Sequence, residues 1–291
     1  MLKSNLTKTP FLLLAPYVTL IVLFWLIPLV SGINLSFQEN KFFGEATYVG
    51  LANYKALLSD KLFSIAIVNT LIYTTLCVII IIPLATTIAV LIQKAHQAIK
   101  PIAYFCLILP GLAPPVVLGI LFLLVFYGRG GILNEWLITP LGFSPINWLK
   151  DPQFILTGLI LQAVWRWTGF ITLFILSALE AIPQTHIDSI KMEGGPNLRS
   201  FFTVNLPLIK KIIIFCALFL IVDSMVTFSG AYNILGASGG ESNAGLLLVN
   251  YAYQNFHFGN TSTAAAINVC LMPFLALFVW TVMFFKPRKL K

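Results

Sequence analysis

Six apolar stretches, each long enough to cross a bilayer, decide what this chain can fold into. They lie at 11–35, 64–92, 101–127, 154–179, 212–235 and 264–285, and a helix needs about 20 mostly apolar residues to cross the hydrocarbon core. Lipid offers no partner to a backbone N–H or C=O, so each stretch must satisfy its own by coiling into a helix. Composition agrees: 58% of the 291 residues are hydrophobic and 10% are charged, against about a quarter charged in a soluble domain. The expectation is an all-α integral membrane protein with six transmembrane helices. No internal repeat or low-complexity linker divides it, so residues 1–291 read as a single transmembrane domain.

The formal charge of +8 is not gathered on one polar face, as nucleic-acid binding would require. Basic residues stand singly or in pairs between apolar runs, where they anchor helix ends at an anionic membrane surface. Their distribution also sets an orientation. With the N-terminus inside, Lys41, Lys55, Lys61, Arg129 and Lys150 face outward, Arg166 lies within a span, and the other twelve of the eighteen Lys and Arg face the cytoplasm. Both termini and the loop at 182–207 are then cytoplasmic. The first apolar run follows Lys3 and Lys8 but is too long for a signal peptide, and no small-residue cleavage site follows it; it is expected to stay as an anchor.

Cys77, Cys106, Cys216 and Cys270 each lie in an apolar span with no CxxC pair, which reads as small buried hydrophobes rather than a disulfide or zinc framework. His96, His186 and His257 sit in different loops without ligand spacing, so no metal is assigned. The third span carries Pro110, Gly111, Pro114 and Pro115 near its middle. It must kink or partly unwind, and broken backbone at that depth needs protein or a watery cavity around it. A path-lining helix and a packing kink both fit. The outer loop at 128–152 is expected to hold a short surface helix at 132–139, with Trp136 and Trp148 at headgroup level. The runs at 229–233 and 236–243 read as a mobile connection near the outer surface.

Arg166 and Asp223 each lie about thirteen residues, roughly 20 Å, from a membrane surface at 1.5 Å rise per residue. Charges at that depth cost a few kcal/mol or more and face a partner or a cavity. Ser224 and Thr227 share a face with Asp223, and Gln162, Arg166 and Phe170 form a stripe flanked by Trp165 and Trp167. Carboxylate and hydroxyls beside aromatic faces suit a sugar or polyol. An Arg166–Asp223 pair that merely staples two helices is the competing reading, and the two can coexist.

The 182–207 loop, IPQTHIDSIKMEGGPNLRSFFTVNLP, reads as helix, hinge, helix about Gly194-Gly195-Pro196. It resembles the cytoplasmic EAA loop of permease subunits of binding-protein-dependent ABC importers. Ile182-Pro183, Asp188, Glu193, Gly194 and Leu206-Pro207 stand at the matching positions; Thr185, Ser189, Ile190 and Gly195 depart from the usual form. A second segment, Tyr48-Val49-Gly50-Leu51-Ala52-Asn53-Tyr54 followed by Leu58, Asp60, Phe63 and Asn69-Thr70-Leu71, is similar to the one before the second helix of carbohydrate-uptake class 1 permeases, especially the maltose- and glycerol-phosphate-type first subunit.

The resemblance implies a type I ABC importer permease fold with a cytoplasmic coupling helix, in the bacterial inner membrane. It implies that Asp188, Ser189, Lys191, Glu193, Gly194, Arg199 and Pro207 couple to an ATPase, and that Trp167, Phe170, Asp223, Ser224, Thr227 and Arg166 meet the substrate. No G-x-x-x-x-G-K-[ST] occurs, so ATP and Mg belong to a partner rather than to this chain. The implied partners are a second permease, two ATP-binding subunits and an extracytoplasmic solute-binding protein. The substrate is a carbohydrate or polyol; glycerol phosphate is the alternative, kept alive by Arg166. An ion-driven secondary transporter would show an inverted repeat, which is not found, and an intramembrane enzyme would need a converging nucleophile and base, which Asp223 alone does not supply.

Overall fold

The computed structural model describes residues 9–39, 47–183, 185–186 and 198–284. These residues are mainly helical; among them β pairing is limited to an isolated antiparallel bridge between Gln38 and Tyr48. They divide into two compact units, residues 1–60 with 252–274 and residues 61–251 with 275–291.

In the first unit, α1 runs from Thr9–Ile21 through a π-helical turn, Val22–Leu26, into Ile27–Leu35. Its side chains from Leu13 through Val30 are exposed, and a helix apolar all round needs lipid or another chain to cover it. The motif at 48–54 closes its far end. Asn53, on α2 (Ala52–Ser59), donates through Nδ2 to the carbonyls of Ser36 and Gln38, both at 2.8 Å. The Ser36 and Tyr54 hydroxyls meet at 2.6 Å, and the Phe37 ring packs on Tyr48 and Tyr54. Gly50, at φ +58°, makes the turn between these pieces.

The second unit contains α3 (Lys61–Gln93), α4 (Lys100–Leu112), α5 (Pro115–Val125), α6 (Pro152–Glu180), α7 (Leu206–Met225) and α8 (Ser229–Leu235). Its centre is α6, against which α3, α4, α7 and α8 pack. Asp151 caps it, accepting from the Gln153 N–H at 3.1 Å, and Ile155, Leu159, Ala163, Ile171, Ile175 and Leu179 are buried along its length. Gly169 lets α4 come so close that a Cβ there would fall on the carbonyl oxygen of Leu107. Two further helices, α9 (Leu248–His257) and α10 (Thr261–Phe284), complete the series.

Among the described residues, four single helices are long and apolar enough to span: Leu13–Leu35, Lys61–Gln93, Pro152–Glu180 and Phe201–Met225. The expected third span is instead a bent pair, α4 and α5, meeting at 100°. Ala113 is extended, as a residue before proline prefers, and Pro114-Pro115 then start a new helix. The expected fifth span at 212–235 is shifted. Leu206-Pro207 starts its α-helix, preceded by a π-helical turn at Phe201–Asn205, and it ends at Met225 because Val226 and Phe228 leave helical geometry. Thr227 therefore lies in a break, and α8 is a separate short helix.

The loop at 128–152 and the run after α8 bear on two further expectations. A π-helical turn, Asn134–Ile138, does sit in the expected surface helix, and Trp136 is 81% exposed; Trp148, however, is only 6% exposed. It packs between Phe126 and Phe154 and donates its indole N–H to Asn134 Oδ1 at 3.1 Å. The run expected as a connection at 236–243 is tied to α3 where it leads into α9. Asn69 Nδ2 donates to the carbonyls of Asn243 and Leu246, both at 3.2 Å, and Thr70 Oγ1 accepts from the Leu248 N–H at 2.9 Å. Gly239 and Gly240, at φ +73° and +82°, provide the left-handed turn that this clasp holds.

Candidate functional site

Helical spacing builds an aromatic plate where α6 meets α7. Trp167, Phe170 and Phe174 recur at i, i+3 and i+7 on α6, and Phe215 and Phe219 at i and i+4 on α7, so each set lines one face. Trp167 and Phe219 meet edge to face at 5.0 Å between centroids, Phe170 and Phe219 at 5.5 Å, Phe170 and Phe174 at 4.9 Å, and Phe174 and Phe215 at 5.8 Å. Such pairs add about 0.5–1.5 kcal/mol each beyond area burial. Sequence reasoning named Trp167 and Phe170 but missed Phe174, Phe215 and Phe219; their i+7 and i+4 spacing was the available signal.

Two charges stand at one end of the plate. The Arg166 guanidinium lies 4.8 Å from the Trp167 ring centroid, a cation–π contact, and its Nε is buried with no hydrogen-bond partner. Asp223, one turn beyond Phe219, is within electrostatic reach of Arg166 and faces the Trp167 indole. Lys100 and Glu180 close an ion pair at 3.2 Å, and Arg166 and Asp223 do not close one within 4.0 Å. Aromatic contacts pack α6 against α7, and the two charges lie within electrostatic reach of each other beside them.

The remaining named residues divide. Ser224 is buried and its hydroxyl is directed to the thiol of Cys77, while Thr227, in the break after α7, meets the phenol of Tyr73. Both partners lie on α3, and Asp223 is within electrostatic reach of each. Arg199 and Pro207 are described: the Arg199 carbonyl accepts from Thr203 Oγ1 at 2.9 Å, and Pro207 opens α7. Asp188, Ser189, Lys191, Glu193 and Gly194 lie outside the described residues.

The family of the binding-protein-dependent transport system inner membrane component matches residues 81–291. The chain belongs to this family. It is 31% identical over 264 residues to the arabinooligosaccharides transport system permease protein AraP of Bacillus subtilis, covering 90% of this chain and 83% of that protein. It is 24% identical over 286 residues to the trehalose/maltose transport system permease protein MalF of Thermococcus litoralis, covering 98% and 95%. A crystal structure of a bacterial ABC transporter involved in the import of the acidic polysaccharide alginate superposes with a TM-score of 0.80 at 16% identity, covering 100% of this chain and 99% of that one. At that identity the likeness is one of fold: the all-helical type I architecture of importer permeases. This chain is accordingly an inner-membrane permease component of a binding-protein-dependent transport system.

Proposed function

We propose that the chain is the translocation subunit of an ATP-driven importer for a carbohydrate or polyol, with residues 1–291 forming one transmembrane domain. The observation that carries this reading is the aromatic plate ending in Arg166 and Asp223 at mid-span, in a chain whose relatives are named for arabinooligosaccharide and trehalose/maltose transport. Aromatic faces stack on the apolar side of a sugar ring, and a carboxylate and guanidinium take its hydroxyls. Trp167 and Phe170 supply the stacking surface, Asp223 accepts hydroxyl protons and Arg166 donates; Ser224 and Thr227 join them when the break after α7 rearranges.

The chain carries no engine of its own. Two separate ATP-binding subunits hold ATP and Mg, a second permease completes the pore, and an extracytoplasmic binding protein delivers the solute. Both termini and the 182–207 loop face the cytoplasm, where Asp188, Ser189, Lys191, Glu193, Gly194, Arg199 and Pro207 serve the coupling. Closure of the ATPases moves this loop and switches the spans between inward- and outward-facing states, a coupling of distant sites through a two-state element. Glycerol phosphate is the second reading, favoured by the unpartnered Nε of Arg166.

The test is uptake by the complete importer in proteoliposomes, with neutral oligosaccharides and glycerol phosphate compared. ATP-dependent uptake of a neutral sugar, reduced about tenfold by Trp167→Ala or Asp223→Asn at unchanged protein level, supports the reading; about 1.4 kcal/mol of lost binding corresponds to that factor. Uptake of glycerol phosphate alone selects the second reading, and uptake driven by an ion gradient without ATP rejects both.

A further inference from the structure

The face of α6 that bears Arg166 continues toward the 182–207 loop. Arg166, Phe170, Leu173, Ser177 and Glu180 follow at i, i+4, i+7, i+11 and i+14, a single stripe on a helix. At the upper end the stripe is bordered by α4: a Cβ on Gly111 would stand 3.7 Å from Phe170 Cβ and 3.8 Å from the Arg166 carbonyl. At the lower end α4 and α6 enclose a groove of about 350 Å³ lined by Tyr104, Phe105, Leu173, Ser177 and Glu180 among others. That volume falls within the rough range of 300–1,000 Å³ of small-molecule sites.

The polar atoms of the groove are held in place and only partly used. Glu180 Oε1 takes both available contacts, from Lys100 Nζ at 3.2 Å and Tyr104 Oη at 3.5 Å, leaving Oε2 without a partner among the described residues. Ser177 Oγ donates to the Leu173 carbonyl at 2.8 Å, which leaves its lone pairs free to accept. Phe105 is 63% exposed and offers a flat ring beside them. Acceptors that want hydroxyl protons, set beside an open aromatic face, suit a sugar residue. Ser177 lies seven residues, or about 10 Å, down the helix from Phe170.

We infer that this groove is a second carbohydrate station, on the exit half of the path, which takes a sugar residue after it leaves the aromatic plate. The inference rests on the proposed importer reading, which makes the Glu180 end cytoplasmic. Its continuity with the plate along one face of α6 selects the transported solute as occupant over a lipid chain or the second permease.

The experiment uses the complete importer in nanodiscs without nucleotide, carrying Ser177→Cys. The rate at which residue 177 is alkylated by N-ethylmaleimide is read by peptide mass spectrometry, with and without maltose, trehalose, lactose or arabinotriose, each also assayed for uptake. The expected result is labelling slowed about fivefold by a transported sugar at about four times its Kd, which leaves about one fifth of the sites empty, and restored by adding Tyr104→Phe. Labelling that the transported sugar leaves unchanged overturns the station while the importer reading stands. A residue 177 that stays unreactive in every condition shows the second permease covering the groove, and labelling slowed by added phospholipid alone shows a lipid groove; either overturns it. If glycerol phosphate alone is taken up, the carbohydrate reading beneath the station fails and the station falls with it.

Discussion

At the scale of single residues, stability rests on a few positions where backbone or amide has no substitute. Gly169 is one: any Cβ would meet the Leu107 carbonyl, and that neighbour is backbone and cannot swing away. Gly169→Ala should force α4 off α6 at a cost of about 1–3 kcal/mol, typical of overpacking. Thermal unfolding of the purified complex should show the loss, whereas Gly32→Ala on α1, with nothing within 4 Å, should leave it unchanged. Asn134 is another. Its Nδ2 donates to the carbonyls of Gly128 and Ile146 at 3.0 and 2.9 Å, and its Oδ1 accepts from Ile146 N–H and Trp148 Nε1. Asn134→Ala leaves buried groups unpaired, each at about 1–3 kcal/mol, so its unfolding temperature should fall at least as far as that of Gly169→Ala. A shift no larger than that of Gly32→Ala would show the loop held by other contacts.

At the scale of elements, the motif Asn69-Thr70 of α3 emerges as a clasp on the 236–248 run. Asn69→Ala or Thr70→Val should loosen that run by about 1–2 kcal/mol, seen as roughly tenfold faster amide exchange there, with α6 exchange unaltered. Equal acceleration across α6 would mean the clasp supports the whole unit instead. The clasp also shows what the sequence could and could not say. Span length and hydropathy identified α1, α3 and α6, because lipid imposes a length that any reader can count. Proline chemistry located the break between α4 and α5. The end of α7 at Met225 was hidden, since Val226, Thr227 and Phe228 are apolar enough to extend a hydropathy window yet poor helix formers. Trp148 was misplaced for a related reason: aromatic residues in outer loops usually sit at headgroups, and only the tertiary partner Asn134 distinguishes a buried one. The plate was half legible: Trp167 and Phe170 were seen on α6, while the i+4 spacing of Phe215 and Phe219 marks a face of α7 without saying which helix that face meets.

At the scale of the whole molecule, the proposed reading raises the question of how a pore whose sequence holds no G-x-x-x-x-G-K-[ST] is driven. Force must enter through a segment that a partner can grip, and the 182–207 loop joins α6 to the helices that lead into α7, the two elements that build the plate. On the proposed reading, Glu193 and Gly194 form the hinge of that grip. Glu193→Lys reverses a charge and Gly194→Leu adds bulk in the proposed hinge, and neither replaces a residue of the plate. Both should therefore leave the complex assembled and its ATP hydrolysis measurable while sugar uptake per ATP falls by about tenfold or more, because energy spent in the ATPase no longer reaches α6 and α7. Proteoliposome uptake and phosphate release, measured on the same preparation, give that ratio directly. A ratio equal to wild type in both variants would place the grip elsewhere, and Arg199 and Pro207 at the far end of the loop would be the next to exchange.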